Sequence, residues 1–189
     1  MRLPAAVRRR FANRLGPGET RLYRGTIAEI RFSRVGWLLA QALRPLGAPL
    51  PLDRHAQGRA ASVAVTEAPG GQIWTRMIAR PGRFPQTIHS AKRFAGPTGL
   101  EERIGWGLGM ALTVAEEWGS LVFRSAGYFL EIAGRRLPLP RLITPGEMVI
   151  GHHDLRHGRF AFTLELTHPW LGELIHQTAL FTDMTEDTP

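Results

Sequence analysis

From Trp106 to Trp118 the chain alternates with almost no break. Trp106, Leu108, Met110, Leu112, Val114, Glu116 and Trp118 share one parity, and Gly107, Gly109, Ala111, Thr113, Ala115, Glu117 and Gly119 the other. Successive side chains on a strand point to opposite faces, so the run predicts one long strand with a bulky face and a nearly bare one. Thirteen extended residues reach about 40 Å, long for a globular strand, which predicts a bend with Gly107 and Gly109 as the hinge. The bulky face needs a core. The bare face lets a helix, another sheet or a ligand approach the backbone.

The same reading along the chain predicts a first helix over Pro4–Leu15, where Leu3, Val7, Phe11 and Leu15 form one stripe with the arginines mainly off it, stopped by Gly16-Pro17-Gly18. Strands are predicted over Thr20–Phe32, Arg59–Glu67, Gln72–Ala79 and Phe84–Phe94, the last three joined by short Gly/Pro turns as a meander. A second helix is expected over Gly36–Leu46, ended by Pro45, Gly47, Pro49 and Pro51. Leu100–Ile104 leads into the long run; Ser120–Phe123 and Tyr128–Ile132 read as two further strands; Gly134–Pro145 reads as a rigid connection with little regular structure. Glu147–Leu155, Arg159–Thr167 and Leu171–Thr182 form a closing meander.

The pattern therefore predicts a single, mainly β domain over 1–189, on the border of α+β. It has an N-terminal helix within 1–16, a curved antiparallel region over 20–183 carrying helix 36–46, and a polar tail over 184–189. About nine or ten strands make a strongly curved antiparallel sheet or a partly open barrel with two helices packed on it, with the open, twisted sheet slightly favoured. No strand–helix–strand alternation supports a parallel dinucleotide-binding sheet.

Composition narrows the partners. Hydrophobic residues make up 43%, which suits a packed core rather than disorder. No apolar run approaches the roughly 20 residues of a membrane span, and the N-terminus lacks an apolar signal-type stretch. With no cysteine, disulfides, thiol catalysis and Cys-ligated zinc are excluded, and a cytoplasmic location is the default expectation. The net charge of +8 invites an anionic partner, but 23 of the 24 basic residues are Arg, with Lys92 the lone Lys. That bias fits a GC-rich coding sequence, and apart from Arg2, Arg8, Arg9, Arg10 and Arg14 the arginines are dispersed. No nucleic-acid-binding motif accompanies them, so nucleic acid is not an expected partner.

Several short motifs fall in a fixed order: Trp74-x-Arg76, Phe84 with Ser90, Leu100-Glu101-Glu102-Arg103-x-Gly105, Gly127-Tyr128 through Leu137-Pro138-Leu139-Pro140, Gly158-Arg159-Phe160-x-Phe162 and His168-Pro169-x-x-Gly172. In this order the chain resembles a bacterial family known only as domain of unknown function 4166, over nearly its whole length. The resemblance implies a module found alone or fused behind an NAD(P)-binding domain of the saccharopine-dehydrogenase type. It suggests a reductase-type protein as partner, and it carries no catalytic residue over. This chain has no Gly-x-Gly-x-x-Gly of its own, and no cofactor is implied for it.

Candidate chemistry rests on a few side chains. His152 and Asp154 share a strand face while His153 points away, so His152 and Asp154 could act together, joined by His168 or His176 from neighbouring strands; the alternative is a polar strand face near a turn. No zinc-type spacing is present, and no metal is expected. Glu116 interrupts the bulky face beside Trp118; buried, it would need a partner and become a candidate acid or base, whereas a strand simply reaching solvent there needs neither. Trp74 and Arg76 share a face on which an arginine beside an aromatic ring could hold an anionic group, or Arg76 could merely lie outward along the indole. Ser90, Ser120 and Ser125 lack a nucleophile context.

Three functions fit these residues. The first is a non-catalytic module binding a hydrophobic or weakly acidic small molecule in a β cavity, with Trp74, Arg76, Glu116, Trp118, His152, Asp154 and His168 as the candidate ligand-binding set. The second is a structural or interaction domain whose sheet is filled by its own helix through Trp37, Leu38 and Leu43. The third is an enzyme built on His152, Asp154 and His168. A pocket near 300 Å³ favours the first, and a filled core the second. The oligomeric state stays open.

Overall fold

The computed structural model describes residues 3–12, 15–16 and 18–183. Arg2, Arg14 and the expected tail 184–189 lie outside the described residues. The elements are α1 (Ala5–Ala12), β1 (Thr20–Phe32), α2 (Arg34–Ala42), β2 (Ala60–Ala68), β3 (Gly71–Arg80), β4 (Arg83–Arg93), β5 (Glu101–Gly105), β6 (Leu108–Glu117), β7 (Ser120–Ile132), β8 (Arg135–Pro138), β9 (Glu147–Asp154), β10 (Arg159–His168) and β11 (Gly172–Asp183), with short 3-10 turns at Arg44–Leu46 and Arg141–Ile143.

Neighbouring strands pair antiparallel in chain order, β11 returns to β1, and β6 and β7 close the ring. The result is a closed ten-strand antiparallel barrel with β8 outside it. Of the two forms the pattern allowed, the barrel is the one formed, and the favoured open sheet is corrected. Closure removes the exposed strand edges that an open sheet would leave.

The ring has one weak seam. β7 pairs with β9 only over Leu121–Arg124, opposite Val149–His152, while its distal half, Phe129–Ile132, pairs with β8 instead. One strand thus serves two neighbours in turn, and beyond Arg124 the wall between β7 and β9 is spanned by the 139–146 connection rather than by a ladder.

Two expectations about this region are corrected. The run 106–118 is not one strand: Trp106 and Trp118 have φ of +52°, each followed by a positive-φ glycine, and occupy the tight turns on either side of β6. Two consecutive positive φ values are what a hairpin turn matched to strand twist requires. The alternation misled because Trp-Gly mimics the bulky–bare rhythm of the strand it bounds. Conversely, Ser120–Phe123 and Tyr128–Ile132 belong to one strand: Ser125 faces Leu112, Gly127 faces Ala111, and Ala126 is the extra residue of a bulge. The connection 134–145 also holds a strand, β8, laid on β7.

The bare face of β6 points outward; it is covered at Gly109 and Ala111, while Thr113 and Ala115 are exposed. Phe129 from β7 lies over Gly109, where a Cβ would collide with its ring. Arg136 stacks on Phe129 at 4.0 Å and pairs with the fully buried Glu101, which also accepts from Arg103 at 2.8 Å; Arg103 in turn holds Glu131 through two bonds of 2.7 and 3.0 Å. The close approach that the small residues permit is thus made by the protein's own aromatic ring.

The two barrel ends are closed differently. α1 caps the end holding the β2–β3, β6–β7 and β9–β10 turns. Its stripe faces inward, with Val7 fully buried and Phe11 against Trp74, Phe123 and His152. Arg10, off that stripe, is nonetheless only 8% exposed and bonds Asp183 at 3.2 Å and Asp154 at 3.4 Å. α2 lies at the other end. Ser33 caps it by accepting from the Gly36 N–H at 3.0 Å, and Pro45, which has no N–H to continue the ladder, stops it short of Leu46. Gly36 abuts the Leu174 carbonyl, so any Cβ there would push α2 off β11. The inward residues are Leu39, Ala40 and Leu43, while Leu38 is 59% exposed and Trp37 is covered by Arg54; the expectation that Trp37 and Leu38 plug the barrel is corrected.

Candidate functional site: the barrel interior

Inward-facing side chains of β1–β4 and β9–β11 make an apolar lining. Following α2, the segment Pro49–Leu52 dips into that interior, and Gln86 of β4 holds it there. The buried Gln86 side chain donates to the Leu50 carbonyl at 2.8 Å and the Ala48 carbonyl at 3.3 Å, and accepts from the Leu52 N–H at 3.0 Å; Gln41 donates to the Leu52 carbonyl at 3.1 Å. A segment with no ladder of its own thereby has its buried backbone groups paired.

The interior is not full. A void of about 80 Å³ is lined by Trp74, Arg76, Lys92, Phe123, Phe162 and Gln177 among others. A second, of about 250 Å³, lies between Leu39, Leu43, Leu108, Met110, Tyr128 and Leu139. Arg76, Pro49, Ile150 and Leu164 border both, so the two spaces adjoin. Tyr128, Leu139 and Thr144 also line an open groove of about 440 Å³ that runs along the unladdered part of the β7–β9 seam. The larger void therefore meets the surface where the wall lacks backbone pairing.

Where the voids meet sits a charged cluster. Lys92 Nζ is 2.8 Å from Glu102, 4.9 Å from the Trp74 ring and 5.6 Å from the Phe123 ring. Arg76 reaches the other Glu102 oxygen at 3.5 Å and donates to Ser90 at 3.3 Å, and its Nε has no partner. Burial by itself would raise the Glu102 pKa; the facing Lys92 and Arg76 charges outweigh it and hold the carboxyl at about 2. Burial pushes the Lys92 ammonium down, against the pull of Glu102. Arg76 and Lys92 both face the single Glu102 carboxylate, so basic groups outnumber acidic ones where the two apolar voids meet. The Tyr128 hydroxyl faces the larger void without a hydrogen bond of good geometry, and burial pushes it up to about 12.

The candidate residues named from sequence divide between this chamber and elsewhere. Trp74 and Arg76 both line it. Trp118 is 94% exposed at the β6–β7 turn, and Glu116 accepts from the Gly119 N–H at 2.8 Å in that same turn, so neither reaches the interior. His152 is buried under the α1 cap among Phe11, Phe160 and Phe162, at 4.8–5.0 Å between ring centres. Burial, with Arg10 nearby, lowers its pKa to about 3. Asp154 shares its strand face but bonds Arg10 rather than orienting the imidazole. His168 lies at the opposite barrel end, accepting from the Trp170 N–H at 3.3 Å, and His176 faces Glu29 and Glu165 outside. These histidines do not converge, and among the described residues no group of three metal-ligating side chains forms.

Sequence reasoning missed Lys92, Glu102, Tyr128 and Gln86. Two signals pointed to the first pair. Lys92 is the lone lysine in a chain that otherwise uses arginine, and Glu102 has the parity of Leu100 and Ile104, an apolar face in which a charge needs a partner.

The model of a family described as a domain of unknown function (DUF4166) matches residues 3–181. No curated protein and no solved structure matches the chain.

Proposed function

The chain belongs to the DUF4166 family, whose description assigns no activity, and from the barrel interior we propose that it is a non-catalytic module binding an amphipathic, weakly acidic small molecule. The observation that carries this reading is the excess of basic groups in the Arg76–Lys92–Glu102 cluster at the junction of two apolar voids. An apolar ligand body suits the 250 Å³ space, and its acidic head meets Arg76, whose unpartnered Nε and fork geometry suit a carboxylate. Volumes of this order lie at the small end for ligand sites, so the ligand is small or leaves part of itself in the seam groove. The dispersed histidines give the enzyme reading no site. A reductase-type partner and a cytoplasmic setting belong to the same reading, with the bound molecule presented to a neighbouring enzyme.

The filled-core alternative has one observation in its favour: Pro49–Leu52 and Phe11 occupy both ends of the chamber. Native mass spectrometry of gently purified protein, with organic extraction and titration of medium-chain fatty acids against the matching alcohols, separates the two. Under the binding reading the acid binds more tightly than the alcohol, and Arg76→Gln removes about tenfold of that preference. Equal, negligible affinity for every chain length, with no co-purifying molecule, overturns it in favour of the filled core.

A further inference from the structure

Strand direction sorts the connections onto two barrel ends, and the end bearing α2 carries a distinct surface. The β3–β4, β5–β6 and β10–β11 turns and the 139–146 connection all lie there. Each bears large apolar side chains in solvent: Phe84 (93% exposed), Trp106 (78%), Leu142 (69%), Ile143 (66%), Trp170 (71%) and Leu171 (52%). Loop tips ordinarily carry small polar residues, so six such side chains at four separate connections of one end form an apolar rim.

Charge on that end leans positive. Arg34 on α2, Arg44 and Arg141 on the 3-10 turns, and Arg83 and Arg135 at the tips of β4 and β8 are exposed at this end. The nearby carboxylates each have a partner, though some share it: Glu131 pairs with Arg103, Glu173 shares Arg31 with Glu29, Glu147 shares Arg124 with Glu117, and Asp53 accepts from the His55 N–H. The opposite end mixes Arg8, Arg9, Arg93 and Arg156 with Glu67, Glu116 and Glu117, of which Glu117 pairs with Arg124. Aromatic and aliphatic tips set among unpaired arginines are what an anionic bilayer surface selects: indole rings lodge at the headgroup level and arginines gather anionic lipid.

We propose that this end of the barrel docks on an anionic membrane surface, with Trp106, Trp170 and the Leu142–Ile143 pair inserted at headgroup depth. Ile143 links the rim to the chamber, because it also lines the 250 Å³ void beside the unladdered seam. Docking therefore sets the chamber's opening against the lipid phase, the reservoir for a molecule with an apolar body and an acidic head. The docking surface stands on its own geometry; the delivery role rests on the ligand-binding reading above.

The test is co-sedimentation of the full chain with phosphatidylcholine vesicles, with and without one third phosphatidylglycerol, alongside sedimentation velocity without lipid. The variants are Trp106→Ser/Leu142→Ser/Trp170→Ser at the rim and Trp118→Ser at the other end. The expected result is binding to the anionic vesicles, lost about tenfold or more in the rim variant and unchanged within about twofold in Trp118→Ser. Arg83→Gln and Arg141→Gln are expected each to weaken it about fivefold. Blue-shifted tryptophan emission on binding is expected to vanish in the rim variant. Equal binding by rim variant and wild type would show adsorption through the net charge alone and overturn the proposal. A lipid-independent dimer abolished in the rim variant would assign the rim to a second copy and overturn it too. Failure of the ligand reading is seen separately: no fatty acid then binds the wild type or the rim variant, while the wild type still binds the anionic vesicles.

Discussion

His152 offers the sharpest test of how the α1 cap is built. Its imidazole stacks on Phe160 at 4.8 Å and meets Phe11 and Phe162 edge-on, and neither ring nitrogen has a partner outside its own residue. The folded protein binds a proton there only near pH 3, because burial and then Arg10 disfavour the imidazolium, whereas the unfolded chain binds it near pH 6.5. A depressed folded pKa means that the stability is fully present above pH 6.5 and is lost as pH falls toward 3. One proton gives a slope of about 1.4 kcal/mol per pH unit, so the site costs the fold about 2 kcal/mol between pH 6.5 and 5. His152→Phe removes that proton and both orphan nitrogens, and an adjoining void of about 20 Å³ takes up the larger ring. The variant is expected to be about 1 kcal/mol more stable at pH 7, and the gap to widen by about 2 kcal/mol at pH 5. Urea unfolding of both proteins across this range checks it. Carboxylates common to both cancel in the difference, so parallel curves from pH 7 to 5 would refute a buried, neutral His152.

Two further perturbations probe the chamber. Glu102→Gln strands Lys92 in an apolar surround and is expected to cost about 3 kcal/mol, seen by calorimetry as a melting point lowered by roughly 6–12 °C. In the wild type, with Glu102 held at about 2, its contribution is full above pH 4.5 and fades as pH falls toward 2, so an unchanged melting point would mean the ion cluster does not hold the fold. Gln86→Ala frees Ala48, Leu50 and Leu52 from their shared partner, and is expected to cost about 2 kcal/mol and to speed hydrogen exchange at the Leu52 N–H.

The walls of the barrel were legible because burial on one face imposes period two on the sequence. Trp74 and Arg76 were rightly put on one face, and the meander 59–94 is as expected. The ends were not legible. Trp106 and Trp118 keep the parity of β6 although their backbones have already turned, because parity carries no information about φ. Lys92 and Glu102 are 10 residues apart in sequence and meet only through the β4–β5 pairing, in which they stand directly opposite. Asp154 was placed on the face of His152, but its partner Arg10 comes from a helix 144 residues away that no local pattern connects to it.

The seam explains why this barrel has an interior at all. Ten strands enclose more space than their own side chains fill, and the fold meets the surplus by sending Phe11 in from one end and Pro49–Leu52 from the other. Had β7 paired with β9 throughout, what remained would be a sealed void with a buried ion cluster, costly and without purpose. Because β7 leaves β9 at Arg124 and takes β8, the remaining space connects along Tyr128, Leu139 and Thr144 to the surface. A buried excess of basic groups is tolerable where a counter-charge can enter and leave, and the branch at β7 supplies that route. Under the proposed binding reading, an acidic ligand in the chamber would offset the cost of holding Arg76 and Lys92 against a single carboxylate, and the seam would be its way in.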